Sequence, residues 1–129
     1  MVKRALVLLL ALWLMLSVYP AANAKEADRP AIDKTLIGNA SWYRGFIIAG
    51  NKFFVNGHYA AMWDVSLGTK VRVTNLDNGR SIIVTINDRG PNKQLVAKGR
   101  IIDLAAKAFY DLTGNFRAST IRVKLEILR

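Results

Sequence analysis

The stretch KVRVTNLDNGRSIIVTINDRGP, residues 70–91, decides the fold. Apolar residues alternate with polar ones from Lys70 to Thr74, and again from Ile82 to Ile86. Alternation with a period of two is typical of a strand with one buried face. The pair Asn78-Gly79 between the two runs is the strongest short hairpin signal. The stretch therefore predicts a β-hairpin whose second strand ends at the Gly90-Pro91 turn.

The second strand of this hairpin ends with an ionisable side chain, Asp88. The segment Asn87-Asp88-Arg89 comes directly before the Gly90-Pro91 turn. A carboxylate there would lie half shielded at the rim of a sheet, beside a fixed cation. Such a group suits acid chemistry on a polar substrate. An Asp before a Gly-Pro turn also commonly accepts hydrogen bonds from the amides of that turn. The residues alone leave both roles open for Asp88.

The rest of the chain predicts further strands and one helix. Ile121 to Ile127 alternate as regularly as the hairpin does, and Ala40 to Tyr43 and Tyr59 to Trp63 are weaker strand candidates. Apolar residues from Leu104 to Leu112 share one helical face. Six or so strands and one short helix in a chain of this size predict a mainly β protein that forms a small closed barrel.

Two residues mark the ends of the predicted helix. Asp103 can cap its N-terminus, and Gly114 can end it.

Residues 1–24 have the pattern of a secretory signal peptide. Lys3 and Arg4 precede an apolar run from Ala5 to Tyr19, and Ala22-Asn23-Ala24 offers the small side chains that signal peptidase requires. The run is short for a bilayer, which needs about 20 residues, so no membrane anchor is expected after cleavage. The chain has no Cys, hence no lipoprotein anchor and no disulfide are expected. Residues 25–37 predict a flexible lead-in, and residues 38–129 a single domain.

The charge balance predicts a polyanionic partner. The chain has 19 Lys and Arg against 9 Asp and Glu, for a net charge of +10. Export to the periplasm or cell envelope favours anionic wall polymers and argues against nucleic acid. No His pair has metal-ligand spacing, no Gly-rich phosphate loop follows a strand, and no Ser lies in a nucleophile motif. We therefore expect neither a metal nor a cofactor.

Several ordered motifs resemble one known family. They are Asn39–Tyr43, Leu67–Asn75, Asn78–Arg80, Ile86–Pro91 and Gly99–Leu104. With them the chain resembles the rare lipoprotein A family of double-psi β-barrel proteins from the bacterial envelope, over essentially all of the predicted domain. The resemblance implies a six-stranded double-psi β-barrel. It also implies an endolytic peptidoglycan lytic transglycosylase.

Such an enzyme cuts the glycan backbone and leaves a 1,6-anhydro end on muramic acid, in wall turnover or remodelling. The reaction needs a proton donor for the glycosidic oxygen and a base for the 6-hydroxyl of the sugar, and one carboxyl group can serve as both in turn. The resemblance assigns this role to Asp88. It implies that Asn87 and Arg89 hold sugar hydroxyls or an acidic group on the glycan.

Three further residues are site candidates by resemblance or by chemistry. An Asp similar to Asp103 lies in the catalytic groove of expansins and related endoglucanases, so Asp103 is a catalytic candidate as well as a helix cap. Tyr43 and Trp42 fit a sugar-stacking platform, because flat aromatic faces suit the apolar face of a pyranose. Aromatic residues buried in a barrel are nevertheless the more common case.

The sequence departs from the family at two polar positions. Phe54-Val55-Asn56-Gly57-His58 stands where the family has Thr-Ala-x-Gly-Glu, so the only His of the chain replaces a functional Glu. Tyr59-Ala60-Ala61-Met62 stands where the family has Thr-Ala-Ala-His, so Met62 replaces a functional His. His58 is a catalytic candidate in place of the lost groups, since an imidazole near Asp88 can hold or relay a proton. Met62 is expected in the core.

The sequence thus predicts a monomeric lytic transglycosylase acting on peptidoglycan glycan strands. Two alternatives stay open. One is a non-catalytic, expansin-like glycan-binding domain that has kept the groove and lost the chemistry. The other is a plug or inhibitor that uses the barrel as a protein-binding scaffold.

Overall fold

A computed structural model describes residues 29–43 and 57–129, and the described residues from Ala31 to Arg129 belong to one compact unit. The predicted signal peptide lies outside the described residues. Six strands and two helices follow one another along the chain: β1 Ile32–Tyr43, β2 Tyr59–Ala61, β3 Lys70–Asn75, β4 Ser81–Asp88, α1 Lys93–Ala97, β5 Arg100–Ala105, α2 Ala106–Thr113 and β6 Thr120–Leu128. Within the described ranges, neither helix is long and apolar enough to cross a bilayer.

The six strands close into a barrel in the order β1-β5-β2-β4-β3-β6. Strand β1 runs parallel to β5, strand β2 runs parallel to β4, and the remaining neighbours are antiparallel. The predicted six-stranded double-psi β-barrel is thereby confirmed. The predicted hairpin is also confirmed, because β3 and β4 pair from the Lys70/Thr85 position to the Thr74/Ser81 position.

The alternating residues fill the barrel. Val71, Val73, Val84 and Ile86 of the hairpin are fully buried in one apolar cluster. The cluster also contains Ile102, Leu104, Val123 and Leu125 from the other strands, and Ala108, Phe109 and Leu112 from α2. Burying a side chain of this size stabilises the folded state by about 1.5–3 kcal/mol. The helix therefore closes one side of the barrel core.

The hairpin turn also holds the end of helix α2. The side-chain amides of Asn75 and Asn78 both donate to the carbonyl of Leu112, at 3.0 and 2.8 Å. This carbonyl lies in the last turn of the helix, where backbone acceptors have no partner within the helix. Gly114 follows with φ of 78°, and its N–H bonds the carbonyl of Tyr110. The predicted helix end at Gly114 is confirmed.

Three expectations need correction. The lead-in predicted over residues 25–37 is too long, because β1 begins at Ile32 and pairs with β6 from the Ile32/Leu128 position onward. Its first residues are exposed, so no apolar alternation marks them, and backbone pairing with β6 forms the strand instead. The chain also has a second helix, α1, which is too short to show an apolar period.

The third correction concerns Asp103. The helix begins at Ala106 rather than at Leu104, and its N-cap residue is Ala105, which makes no side-chain cap. Asp103 lies inside strand β5, between the core residues Ile102 and Leu104. The helix-capping role is therefore wrong, because pairing with two neighbouring strands extends β5 past the position where helical spacing begins.

Candidate functional site

Four residues form a line across four neighbouring strands, and we call them the carboxylate row: Ser41, Asp103, Ala61 and Asp88. Ser41 of β1 pairs with Asp103 of β5, Asp103 pairs with Ala61 of β2, and Ala61 pairs with Asp88 of β4. Adjacent strands lie about 4.8 Å apart, so the Cα atoms of Asp88 and Asp103 are roughly 10 Å apart. Two side chains whose Cα atoms are this far apart can both reach one sugar linkage.

Asp103 is the half-buried carboxyl group of the row. Ser41 Oγ donates a hydrogen bond to its Oδ1. Burial raises the pKa of Asp103 above its usual value, and the charge of Arg100 opposes this increase. The backbone of Gly90 passes close to the second oxygen, because a Cβ at Gly90 would lie 3.7 Å from Oδ2 and 3.3 Å from the Ala61 Cβ. Burial thus shifts the pKa of Asp103 in the direction that a proton donor requires, whereas the hydroxyl of Ser41 and the charge of Arg100 favour the ionised form.

Asp88 is the exposed carboxyl group of the row. Its Oδ1 accepts a hydrogen bond from the backbone N–H of Arg89 at 2.7 Å. Within residues 29–43 and 57–129 its Oδ2 has no hydrogen-bond partner. The turn amides therefore occupy one oxygen and leave the other available to a ligand. This arrangement removes the main structural objection to an acid–base role, namely that the turn uses both oxygens.

Tyr43 lies close enough to both carboxyl groups for their charges to affect it. Its pKa is raised to about 12, first by burial and then by the negative charges of Asp88 and Asp103. A phenol with such a pKa keeps its proton throughout the physiological range. Tyr43 therefore keeps a hydrogen-bond donor near the two carboxyl groups and cannot act as a base, and the sugar-stacking role predicted for it stays a prediction.

Trp42 points away from the carboxylate row. Its ring contacts Phe109 and Phe116, at centroid distances of 5.8 and 4.6 Å, and its Nε1–H donates to the carbonyl of Ala118 at 3.2 Å. Trp42 packs partly against the barrel core. It also borders a pocket of about 330 Å3 that Ser41, Phe116 and two arginines line with it. Within the described part of the chain, Trp42 thus faces this pocket.

Arg89 and Asn87 have surroundings that the resemblance does not predict, and their ligand-binding role stays a prediction. The Nη1 of Arg89 donates to the backbone carbonyls of Met62, at 3.0 Å, and of Val65. This guanidinium therefore holds the β2–β3 connection. Asn87 is the extra residue of a β-bulge, since Ala60 pairs with Ile86 and the next residue of β2 pairs with Asp88. Its Oδ1 is buried and without a partner among the described residues.

His58 is not placed with Asp88. It precedes β2, at the end of that strand opposite to the carboxylate row, and its Nε2 lies 2.6 Å from Asp111 Oδ2 of helix α2. Lys107 bonds the same carboxylate, and these two hydrogen bonds, that of Lys107 first, lower the pKa of Asp111. His58 therefore forms an ion-pair cluster on the helix. The catalytic role predicted for it has no support in this geometry.

Met62 is 4% exposed and belongs to the core cluster, as the sequence predicts. Across the described part of the chain, no three His, Asp or Glu residues converge to hold a metal ion.

Sequence reasoning missed three residues of the site: Ser41, Gly90 and Arg100. Ser41 lies two residues before Tyr43, so period two places both on one face of β1, which was a usable signal. Gly90 and Arg100 gave no such signal, because their proximity to Asp103 depends on the path of the chain between strands.

The chain matches the lytic transglycolase family over residues 35–125. It is 38% identical over 116 residues to the "Probable endolytic peptidoglycan transglycosylase RlpA" of Nostoc sp., covering 84% of this chain and 30% of the relative. It is 43% identical over 96 residues to the "Endolytic peptidoglycan transglycosylase RlpA" of Pseudomonas aeruginosa, covering 70% and 27%. The chain thus spans less than a third of the length of these curated relatives.

Two solved structures share the barrel. The Streptomyces papain inhibitor aligns with a TM-score of 0.56 and 20% identity, over 78% of this chain and 100% of the inhibitor. An expansin of Clavibacter michiganensis aligns with a TM-score of 0.53 and 22% identity, over 74% and 51%. At these identities the likeness shows the fold alone.

Proposed function

We propose, from the fact that this chain belongs to the lytic transglycolase family, that its barrel cleaves the glycan backbone of peptidoglycan by lytic transglycosylation. The named relatives are endolytic peptidoglycan transglycosylases. One observation carries the proposal for this chain: strand register brings Asp88 and Asp103 into a single row, and both charges act on Tyr43.

The reaction converts one sugar linkage without external water. A carboxyl group protonates the glycosidic oxygen, and the bond from this oxygen to C1 of muramic acid breaks. The 6-hydroxyl oxygen of the same sugar bonds to C1 and loses its proton to a carboxylate. The products are a 1,6-anhydro end and a free hydroxyl on the leaving sugar.

The two aspartates suit complementary parts of this reaction. Asp103 is half-buried with a raised pKa, which favours proton donation. Asp88 is exposed and has an oxygen without a partner among the described residues, so it can contact the substrate and accept the proton of the 6-hydroxyl. Tyr43 stays protonated beside both and can donate to a sugar oxygen. Ser41 is a positioning residue, because its hydroxyl fixes the orientation of the Asp103 carboxyl.

The setting proposed for this activity is the periplasm or cell envelope. The signal-peptide pattern of residues 1–24 supports export, and the net charge of +10 favours contact with an anionic wall. The proposed partner is the glycan strand, bound by a monomeric barrel without nucleic acid, metal or cofactor.

A second function, glycan binding without cleavage, is favoured by one observation. Where the family has a functional Glu and a functional His, this chain has His58, which pairs with Asp111, and Met62, which is buried in the core. Neither side chain can replace a lost acid–base group at the carboxylate row. The cleavage proposal therefore depends on the two aspartates alone.

The test is to incubate the full chain with purified glycan strands and to look for 1,6-anhydro ends by mass spectrometry. Wild type should produce them, and Asp88→Asn and Asp103→Asn should lower the rate by a factor of about 100 or more. Asp77→Asn is the matched control, because Asp77 is an exposed aspartate in the β3–β4 turn. Binding of strands without anhydro products would leave the glycan-binding function, and reducing ends would instead indicate hydrolysis.

A further inference from the structure

The side chain of Trp63 makes a contact that none of the proposed roles uses. Its Nε1–H donates a hydrogen bond to the backbone carbonyl of Pro91 at 2.6 Å. Trp63 directly follows Met62 in the β2–β3 connection, and Pro91 ends the turn that begins at Asp88. We call residues 88–91 the aspartate turn. The indole therefore links the connection after β2 to the far end of the turn that carries Asp88.

The first end of the aspartate turn is held by two other contacts. The backbone N–H of Met62 donates to the Asp88 carbonyl at 3.1 Å, and the guanidinium of Arg89 donates to the Met62 carbonyl at 3.0 Å. Pro91, at the second end, has no N–H and can be held by hydrogen bonds only through its carbonyl. Among the described residues, the side chain that bonds this carbonyl is that of Trp63.

Gly90 lies between these two held ends and covers part of the carboxylate row. It is buried, and a Cβ at this residue would lie 3.3 Å from the Ala61 Cβ and 3.7 Å from Asp103 Oδ2. The backbone of the turn therefore shields one oxygen of Asp103 from water. Without the bond from the indole, the turn would be attached through its first two residues alone, and Gly90 could move away from this oxygen.

The indole of Trp63 is itself held in place. It is half-buried, and the ammonium group of Lys93, the first residue of α1, lies 4.7 Å from the ring centroid. A cation over the face of an indole is attracted by the π-electrons of the ring. The indole is thus fixed by two contacts with the segment that follows Gly90, and a side chain that positions reacting groups has to be fixed in this way.

We propose that Trp63 is a positioning residue for the reaction at the carboxylate row. Its N–H holds the far end of the aspartate turn, and this keeps Gly90 against the Asp103 carboxyl. The assignment rests on the proposed function, in which both aspartates act on one sugar linkage. Release of the turn displaces Asp88 and hydrates Asp103 together, since Asp88 begins the turn that covers Asp103. A displacement of about 1 Å in a reacting group can lower a rate by a factor of about 100.

The experiment compares wild type with Trp63→Phe, which keeps an aromatic ring and loses the N–H. The rate of 1,6-anhydro-end formation by the full chain is measured over a range of glycan-strand concentrations. We expect kcat to fall about tenfold and KM to stay within about twofold, because the change affects the reacting groups and not strand binding. Asn78→Ala is the matched control, since it removes another hydrogen bond from a side chain to a backbone carbonyl, that of Leu112. It should keep the wild-type kcat.

A second protein carries benzothienylalanine at position 63, in which sulfur replaces the indole N–H and the shape of the side chain is kept. This protein separates the hydrogen bond from the packing of the ring. Its kcat should fall as that of Trp63→Phe does, and it keeps the test decisive if Trp63→Phe does not fold.

A third measurement does not depend on activity: a pH titration of the Asp103 carboxyl carbon by 13C NMR. Burial raises the pKa of Asp103, so hydration of this group should move the midpoint to lower pH in both position-63 variants and not in Asn78→Ala. Arg100 and Tyr43 interact electrostatically with Asp103, and Tyr43 does so with Asp88 as well. None of these groups is changed in the variants.

An unchanged Asp103 midpoint in both position-63 variants overturns the proposal, because Trp63 would then have a structural role alone. A wild-type kcat in both variants overturns it too, as does an equal loss of kcat in Asn78→Ala. If wild type forms no anhydro ends, the proposed function is refuted, and the midpoint by itself decides whether Trp63 positions the turn over Asp103.

Discussion

The guanidinium of Arg89 stabilises the β2–β3 connection. Arg89→Met should therefore lower the free energy of unfolding clearly and leave the affinity for glycan strands nearly unchanged. Its Nη1 bonds the carbonyls of Met62 and Val65, and methionine keeps part of the aliphatic stem but neither bond. A buried hydrogen bond to a charged group contributes about 1.5–3 kcal/mol. Because Arg89 is exposed, about 1 kcal/mol for each bond is appropriate. We expect the free energy of unfolding to fall by about 2 kcal/mol.

Urea denaturation of the full chain measures this loss, and thermal unfolding should show a midpoint lowered by roughly 10 °C for a domain of this size. Arg80→Met is the control, since it removes an exposed arginine without such bonds and should change stability by less than about 0.5 kcal/mol. Hydrogen exchange adds a local measurement. The amide of Gly68, which bonds the Ile86 carbonyl at 2.7 Å, should exchange faster in Arg89→Met than in wild type.

The opposite result would refute the reasoning. If Arg89→Met unfolded at the same urea concentration as wild type but bound glycan strands about tenfold more weakly, Arg89 would contact the sugar and would not fasten the connection. That outcome would restore the role implied by the resemblance.

Three further outcomes follow from the structure. Burial raises the pKa of Asp103, so ionisation of this carboxyl group opposes folding. Asp103→Asn should therefore match the stability of wild type below about pH 4 and become the more stable protein as pH rises through the folded pKa. If urea titrations show the same difference between the two proteins at pH 3 and at pH 7, this expectation is contradicted. His58→Ala should keep the rate of anhydro-end formation within about twofold, because the imidazole bonds Asp111 outside the carboxylate row; a hundredfold loss in the mass-spectrometric assay would return His58 to the site. Asp64 has φ of 63°, so Asp64→Gly should raise the melting temperature, by the equivalent of about 0.5 kcal/mol, and a decrease would show that its side chain has a role beyond the turn.

The barrel could be predicted from the sequence because several of its strands show an alternation of apolar and polar residues within the strand itself. The hairpin around Asn78-Gly79 and the strand from Ile121 to Ile127 were identified from alternation, and Gly114 ended the helix as its conformation requires. The site was predicted only in part. Asp88 was found because a motif marks it, whereas the row that joins Asp88 to Asp103 depends on register between strands distant in sequence.

The errors have the same origin. Asp103 has the spacing of a helix cap, but pairing with Ser41 and Ala61 on either side makes it a strand residue. His58 was associated with Asp88 by family position, but its partner is Asp111, which lies 53 residues away in sequence. Arg89 has two backbone carbonyls as partners that its sequence position did not indicate, and the ligand-binding role predicted for it stays a prediction. In each case the contact joins parts of the chain that are distant in sequence.

Because β1 pairs with β6, the first and last strands of the barrel are neighbours, and the two ends of the domain lie close together. These strands pair up to the Ile32/Leu128 position, and the Arg129 N–H bonds the Ala31 carbonyl at 3.0 Å, so the polypeptide enters and leaves the barrel side by side. A domain with adjoining ends can be inserted into a longer polypeptide without strain on its strands. The same barrel can therefore be carried by chains more than three times the length it covers, as in the Nostoc and Pseudomonas relatives, with flanking segments free to diverge.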